Sequence, residues 1–206
     1  MPKFYIAEDT CQFTSTEEAI LHSLCDKVKR EGMVIAEVGA WLGCSTAVMG
    51  KVAKENKGIV YTVDWFRGSG EKTPLKGVAD RNDIFNIFRT NMNELGLQDA
   101  IKPLVMTSSD AVNIIKDNMF DLIFIDADHV YQAVKQDIEM WLPKLKKNGI
   151  ICGHDCEEKY DFENKEITAH KDMDFWGGMH CGVVKAVGER FNNQHNIEER
   201  IWWIQL

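Results

Sequence analysis

No apolar run in this chain approaches the roughly 20 residues that a bilayer-spanning helix requires, so no transmembrane helix is expected. Basic charge is also short: 24 Lys and Arg stand against 32 Asp and Glu, a formal net charge of −8. Binding to nucleic acid depends on clustered Lys and Arg that neutralise phosphates, so neither nucleic acid nor a membrane is expected as a partner. The local basic run Lys144-Leu145-Lys146-Lys147 reads as a solvated helix end. The cysteines (Cys11, Cys25, Cys44, Cys152, Cys156 and Cys181) form no C-x-x-C pair and no regular spacing, which removes the usual zinc and disulfide frameworks. Most are expected to be small buried apolar residues. No targeting segment is visible, since Met1-Pro2-Lys3 leads into a short mixed stretch with Glu8 and Asp9, and a cytoplasmic location is expected.

What is present is an ordinary soluble composition, 45% hydrophobic and 27% charged over 206 residues. That length supports a full core in one domain spanning 1–206. Strand-like apolar runs (Val34–Val38, Ile59–Val63, Ile101–Met106, Leu122–Ile125 and Ile150–Cys152) alternate with amphipathic stretches. This alternation predicts an α/β fold, a parallel sheet with helices on both faces. The spacing of Val130, Val134, Ile138, Trp141, Leu142 and Leu145 predicts a helix from about Val130 to Lys147, bent or broken near Pro143. A second helix is expected over Thr16 to Glu31, opened by Ser15-Thr16-Glu17-Glu18. After a helix near Gly182 to Phe191 and a polar connection Asn192 to Asn196, Glu199 to Leu206 reads as a final strand added antiparallel at the sheet edge. Two irregular insertions, Phe66 to Asp80 and Glu157 to His180, read as lids or substrate walls.

The most informative stretch is Val34 to Thr46, an apolar strand followed by glycines and then by residues suited to starting a helix. Gly39 and Gly43 permit a tight turn and let a ligand approach the backbone. Ser45 or Thr46 is expected to cap the following helix, whose free N–H groups would face that ligand. The spacing G-x-x-x-G is not the G-x-G-x-x-G that lets a backbone approach a pyrophosphate, so a ligand without phosphates is favoured.

In an open parallel sheet, ligands bind beyond the carboxyl ends of the strands, and each predicted strand here ends in polar residues. The first ends in Glu37 and the glycine turn. The second ends in Asp64-Trp65, an acid placed to accept both hydroxyls of a ribose beside an indole that can cover an adenine. Thr107-Ser108-Ser109-Asp110 follows the third and suits both helix capping and contact with an adenine edge. The fourth leads into Asp126-Ala127-Asp128-His129 and the fifth into Gly153-His154-Asp155-Cys156. Acids converging from neighbouring strands bind a divalent cation or raise each other's pKa.

Together these residues resemble the class I S-adenosylmethionine-dependent methyltransferases, in particular the small-molecule group that includes catechol and macrolide-sugar O-methyltransferases. Glu37-Val38-Gly39-Ala40-Trp41-Leu42-Gly43-Cys44-Ser45-Thr46 is similar to that family's methionine-binding turn, Asp64 to its ribose-binding acid, and Ser109-Asp110 to its adenine-contacting pair. Phe124-Ile125-Asp126-Ala127-Asp128-His129-Val130-Tyr131 and Gly149 to Asp155 resemble paired motifs of a bacterial subgroup. The resemblance implies a Rossmann-like methyltransferase fold: a mostly parallel seven-stranded sheet with an antiparallel C-terminal strand. It also implies S-adenosylmethionine as cofactor, held by Glu37, Gly39, Ala40, Trp41, Gly43, Ser45, Asp64, Trp65, Ser109, Asp110 and Asp126.

The implied reaction is methyl transfer to an oxygen of a small hydroxylated acceptor (a sugar, a phenol or a natural product), and homodimers are common in the group. In metal-dependent relatives, the acids matching Asp126 and Asp155 hold Mg2+ with a third Asp or Asn; here that position is Cys156, a poor ligand for a hard cation. Asp128, Glu157 or a water would have to complete the shell. With a metal, Asp126 and Asp155 are the ligands; without one, His129 or His154 is the expected general base. Trp176, Phe175, Trp202 and Trp203 are candidates for an acceptor wall, although Trp202 and Trp203 also suit the sheet core. The competing readings are an NAD(P)-dependent oxidoreductase, whose ribose Asp64 would serve equally, and a protein that binds S-adenosylmethionine without catalysis.

Overall fold

Short β-branched runs form the centre of the molecule, as their bounding turn residues predict. In the computed structural model, which describes residues 5–6, 9–10, 13–68 and 74–206, five parallel strands follow in chain order. They are β1 (Val34–Val38), β2 (Ile59–Asp64), β3 (Ile101–Val105), β4 (Phe120–Ile125) and β5 (Leu145–Gly153). With β6 (Asn196–Glu198) and β7 (Ile201–Gln205) they form a seven-stranded sheet of order β3-β2-β1-β4-β5-β7-β6. Strand β7 runs antiparallel to both β5 and β6, the antiparallel C-terminal strand expected from the sequence. A small separate ribbon pairs Tyr5–Ile6 with Asp9–Thr10.

The helices are α1 (Ser15–Val28), α2 (Cys44–Glu55), α3 (Pro74–Arg81), α4 (Ile84–Glu94), α5 (Ser108–Ile114), α6 (Tyr131–Trp141), α7 (Lys165–His170) and α8 (Cys181–Phe191). Because side chains alternate across a strand, each strand feeds two cores. Ile35, Leu122, Phe124, Ile150 and Cys152 pack against α1, α2 and α4. Ala36, Val38, Ile123, Ile125 and Ile151 face the other way, against α5, α6 and α8. By the same alternation, Glu37 points to the α2 side. Among the described residues no helix is long and apolar enough to cross a membrane.

Several expected boundaries move, each for a local reason. The helix predicted to Lys147 ends at Trp141, because Pro143 enters a single 3-10 turn (Leu142–Lys144) and Leu145 pairs with Phe120 as the start of β5. Leu145 fits the apolar period of the helix, but its burial comes from the sheet. The polar connection after α8 is broken by left-handed Asn192 and Asn193 and runs directly into β6, whose three residues are too few to show a period. Helix α1 opens one residue early through a capping box: Thr14 Oγ1 accepts the Glu17 amide at 3.2 Å, and the Glu17 carboxylate accepts the Thr14 amide at 2.7 Å. The two insertions carry α3 and α7, with 69–73 of the first outside the described residues. Cys25, Cys152, Cys156 and Cys181 are free and buried as expected, whereas Cys44 is disulfide-bonded; Cys11 lies outside the described residues.

Candidate active site

The turn after β1 is built by backbone crowding. Gly39 has φ +87°, and a Cβ there would lie 2.0 Å from the Asp126 carbonyl oxygen. Its missing side chain therefore admits the neighbouring β4 end, a role distinct from the ligand approach expected of it. Gly43, φ +94°, serves as the N-cap of α2, and no side chain caps that helix. Ser45 and Thr46, the expected caps, instead donate to the Glu37 carboxylate at 2.6 Å each, joined by Thr62 Oγ1 at 3.0 Å. Glu37 is fully buried and does not line the cleft described below. Burial, aided by the charge of Asp126, raises its pKa to about 7 against the pull of the hydroxyl donors. Its place is behind the turn, tying β1, β2 and α2 together.

Asp64, at the end of β2, holds the turn from the front. Its Oδ2 accepts the amides of Ala40 and Trp41, both at 2.9 Å, and its Oδ1 accepts the Phe66 amide at 2.6 Å. A carboxylate has about four lone-pair sites, so Asp64 retains capacity toward a ligand. Trp65 lies beside it, 44% exposed, with Nε1 donating to the Gly68 carbonyl at 2.8 Å. Both line a cleft of about 550 Å³ that runs along the C-terminal strand ends, from Met106–Ser108 after β3 to His154–Asp155 after β5.

At the β4–β5 end the cleft wall is ionic. His129 Nδ1 meets Asp174 Oδ1 at 2.8 Å, and its Nε2 lies 3.2 Å from Asp155 and 3.9 Å from Asp126. His154 Nε2 meets Glu17 Oε1 at 2.9 Å, while its Nδ1 is 3.3 Å from Asp155 and 3.8 Å from Asp126. Burial opposes protonation of both rings, but the surrounding carboxylates outweigh it. The pKa of His129 rises well above 6.5, through Asp126, Asp174 and Asp155, and that of His154 rises to about 10, through Asp126, Asp155 and Glu17. Asp155 adopts a left-handed φ of 58° and accepts Arg200 Nη1 at 3.0 Å. Burial would raise its pKa; His154, His129 and His180 push it well below the usual carboxylate range. Glu17 follows the same logic: His154, the Thr14 amide and Arg200 overcome burial and bring it down to about 2.

Of the residues singled out from the sequence, Gly39, Ala40, Trp41, Ser45, Asp64, Trp65, Asp126, His129, His154 and Asp155 meet on this cleft. Glu37 and Gly43 support it from behind. Ser109 and Asp110 do not line it: they bond with Thr107, whose hydroxyl caps α5 by accepting the Asp110 amide at 3.2 Å. Their neighbour Ser108 lines it instead, together with Asp137 from α6. Glu17, Asp137, Asp174, His180 and Arg200 carry no strand-end signature, and each reaches the site through packing of distant segments. Of the proposed aromatic wall, Trp202 is core; Trp203 packs half-buried on the α1 side, Trp176 stacks on His170 at 3.7 Å, and Phe175 lies 4.9 Å from His180. None of the four lines this cleft.

Among the described residues, two donor groups are close enough to share an ion, Asp126–His154–Asp155 and His129–Asp155–His180, each with ligand atoms within 4.8 Å. Magnesium demands near-octahedral oxygen ligands, and these residues do not fit it. Each group supplies nitrogen, and Asp155 is already engaged by Arg200. Cys156 turns away, its Sγ donating to the Glu158 carbonyl at 3.5 Å, and burial keeps it a neutral thiol.

Comparison with known proteins agrees with this architecture. The cofactor-bound Rv0187 protein from MTB superposes with a TM-score of 0.67 at 14% identity, covering 96% of this chain and 82% of its own. The O-methyltransferase from Bacillus cereus, in complex with SAH, gives 0.62 at 18% identity over 98% of this chain and 84% of its own. TomG from Streptomyces achromogenes, an O-methyltransferase in complex with SAM, gives 0.63 at 14% over 98% and 82%. Among curated proteins, an uncharacterized protein of Acanthamoeba polyphaga mimivirus is 26% identical over 145 residues, 68% of this chain and 58% of that protein. The uncharacterized protein y4gI of Sinorhizobium fredii is 39% identical over 51 residues, 25% of this chain and 6% of that protein. The chain thus spans less than two thirds of the length of each of these curated relatives. The family model described as a methyltransferase domain matches residues 36–156, from the middle of β1 to just past the end of β5, and by that match over more than half its length the chain belongs to this family.

Proposed function

We propose that the protein transfers a methyl group from S-adenosylmethionine to an oxygen of a small hydroxylated acceptor. The observation that carries this reading is the continuity of the cleft: the turn and Asp64 at one end open directly onto Asp126, His129 and His154 at the other. In this reading the methionine portion lies over Gly39–Trp41, the ribose hydroxyls meet Asp64, and the sulfonium faces the ionic end. The sulfonium already activates the methyl group, so the protein's task is in-line positioning and removal of the acceptor's proton.

The protonation pattern changes the expected base. His129 and His154 are held as imidazoliums at neutral pH, so neither has a free lone pair for the acceptor. Asp126 lines the cleft with its side chain 26% exposed, and its carboxylate is the proton acceptor. The two imidazoliums, 3.9 and 3.8 Å away, offset its charge and that of Asp155. No step requires a metal.

The test is product release. Incubation with S-adenosylmethionine and a panel of hydroxylated metabolites should yield S-adenosylhomocysteine with a subset of them, abolished by Asp126→Asn. Full turnover in that variant would remove Asp126 from the mechanism.

A further inference from the structure

Asp137 stands out as a buried carboxylate that the methyl-transfer mechanism does not use. It projects from α6 into the cleft wall at 7% exposure. Its Oδ1 accepts the Ser108 hydroxyl, and Ser108 Oγ in turn accepts the Trp141 indole N–H at 2.8 Å. That relay fixes the direction of the Ser108 proton and orients the carboxylate. Its Oδ2 has no hydrogen-bond partner among the described residues, and no cation lies among the groups acting on it. Desolvation, with a smaller contribution from Asp128, raises its pKa to about 6, as expected for a buried acceptor short of donors. Such a group calls for an N–H donor brought by a ligand.

The place of Asp137 in the cleft says which part of the ligand that is. The strand order sets β3 at one flank and β5 at the other, with β2 and Asp64 next to β3. The β4–β5 side is filled by the ionic cluster, so a nucleoside whose ribose meets Asp64 must extend its base toward Met106, Ser108 and Asp137. We propose that Asp137, oriented by Ser108 and Trp141, reads the exocyclic 6-amino group of the cofactor's purine and so selects 6-aminopurine over 6-oxopurine nucleosides. This rests on the S-adenosylmethionine reading and adds a specificity determinant to it. The 6-amino group donates two hydrogens; a 6-oxo group presents lone pairs to the same carboxylate oxygen.

The experiment compares S-adenosylhomocysteine with its deaminated analogue, S-inosylhomocysteine, by calorimetry on the wild-type protein and on Asp137→Asn. The wild type should favour the adenosyl compound by on the order of 10- to 100-fold, the worth of one hydrogen bond to a charged group. In Asp137→Asn, whose amide can donate to a 6-oxo group, the preference should collapse toward unity or reverse. Ser108→Ala should narrow it partially. Equal wild-type affinities, or a preference undiminished in Asp137→Asn, would overturn the assignment while leaving the donor reading intact. Absence of any S-adenosylhomocysteine binding to the wild type would overturn the donor reading itself, and this assignment with it.

Discussion

Glu17 and Glu37 are both buried, at 1% and 0% exposure, and their pKa values move in opposite directions, to about 2 and about 7. The difference lies in their partners. Glu37 sits at the β1–β2 end among three neutral hydroxyls, which cannot compensate its loss of water. Glu17 sits behind the β4–β5 end between an imidazolium and a guanidinium, which can. The two ends of the cleft follow the same division. One is a cradle of backbone amides and hydroxyls gathered around the Asp64 carboxylate and suited to hold a cofactor; the other is a cluster of opposed charges suited to manage a proton.

Breaking both ends at once should have the largest effect, because Gly39 is where they touch. Gly39→Ala would force a Cβ onto the Asp126 carbonyl at a left-handed φ, and a loss of about 4 kcal/mol or more is expected in urea denaturation. A near-wild-type midpoint would show that the turn has room to shift. Glu17→Ala comes next, at about 3 kcal/mol, since it removes the buried carboxylate that faces both His154 and Arg200 and leaves the two cations to share Asp155. Glu37→Gln should cost only about 1–2 kcal/mol, because its neutral partners tolerate an amide of the same shape. Equal costs for the two glutamates would erase the contrast.

Acidity sharpens the same contrast. The depressed Glu17 pKa contributes stability above 4.5 that is lost as the pH falls toward about 2; the raised His154 pKa contributes stability below 6.5 that is lost as the pH rises toward about 10. The Glu17→Gln deficit should therefore peak between pH 4.5 and 6.5. Glu37, with its pKa raised, contributes stability that is lost as the pH rises from 4.5 through about 7. Glu37→Gln should accordingly gain on the wild type over that interval. Chemical denaturation across pH 4–9 reads both curves, and parallel curves would contradict the assigned partners. The smallest effect expected is on turnover: with His129 and His154 both held protonated, no histidine deprotonation should appear in the rate between pH 6 and pH 8, which should change by no more than about twofold. A rate rising tenfold per unit toward the His154 value would restore a histidine as the base.

The sheet and the strand-end residues were legible because a buried parallel strand needs a continuous apolar run and a ligand turn needs glycine, both local requirements. Asp64, Asp126, His129, His154 and Asp155 were readable as consequences of where strands end. Glu17 looked like an ordinary first-turn helix acid, and indeed caps α1, but its second role depends on Arg200, 183 positions away. Asp137 falls on the polar side of a helical period and enters the cleft only because α6 packs against the start of α5. Ser45 and Thr46 carried a genuine capping signal, which the buried Glu37 carboxylate outcompeted. Leu145 satisfied a helical period and a strand register equally, and Pro143 decided between them.

In the proposed function the β1–β2 end of the cleft holds the methyl donor, with Asp64 at its ribose. Calorimetric titration of the wild type and Asp64→Ala with S-adenosylhomocysteine and with NAD tests it most directly. One micromolar-range site for S-adenosylhomocysteine, none for NAD, and a loss of about 10-fold or more in the variant are expected. Tight NAD binding without S-adenosylhomocysteine binding, or unchanged affinity in Asp64→Ala, would contradict it.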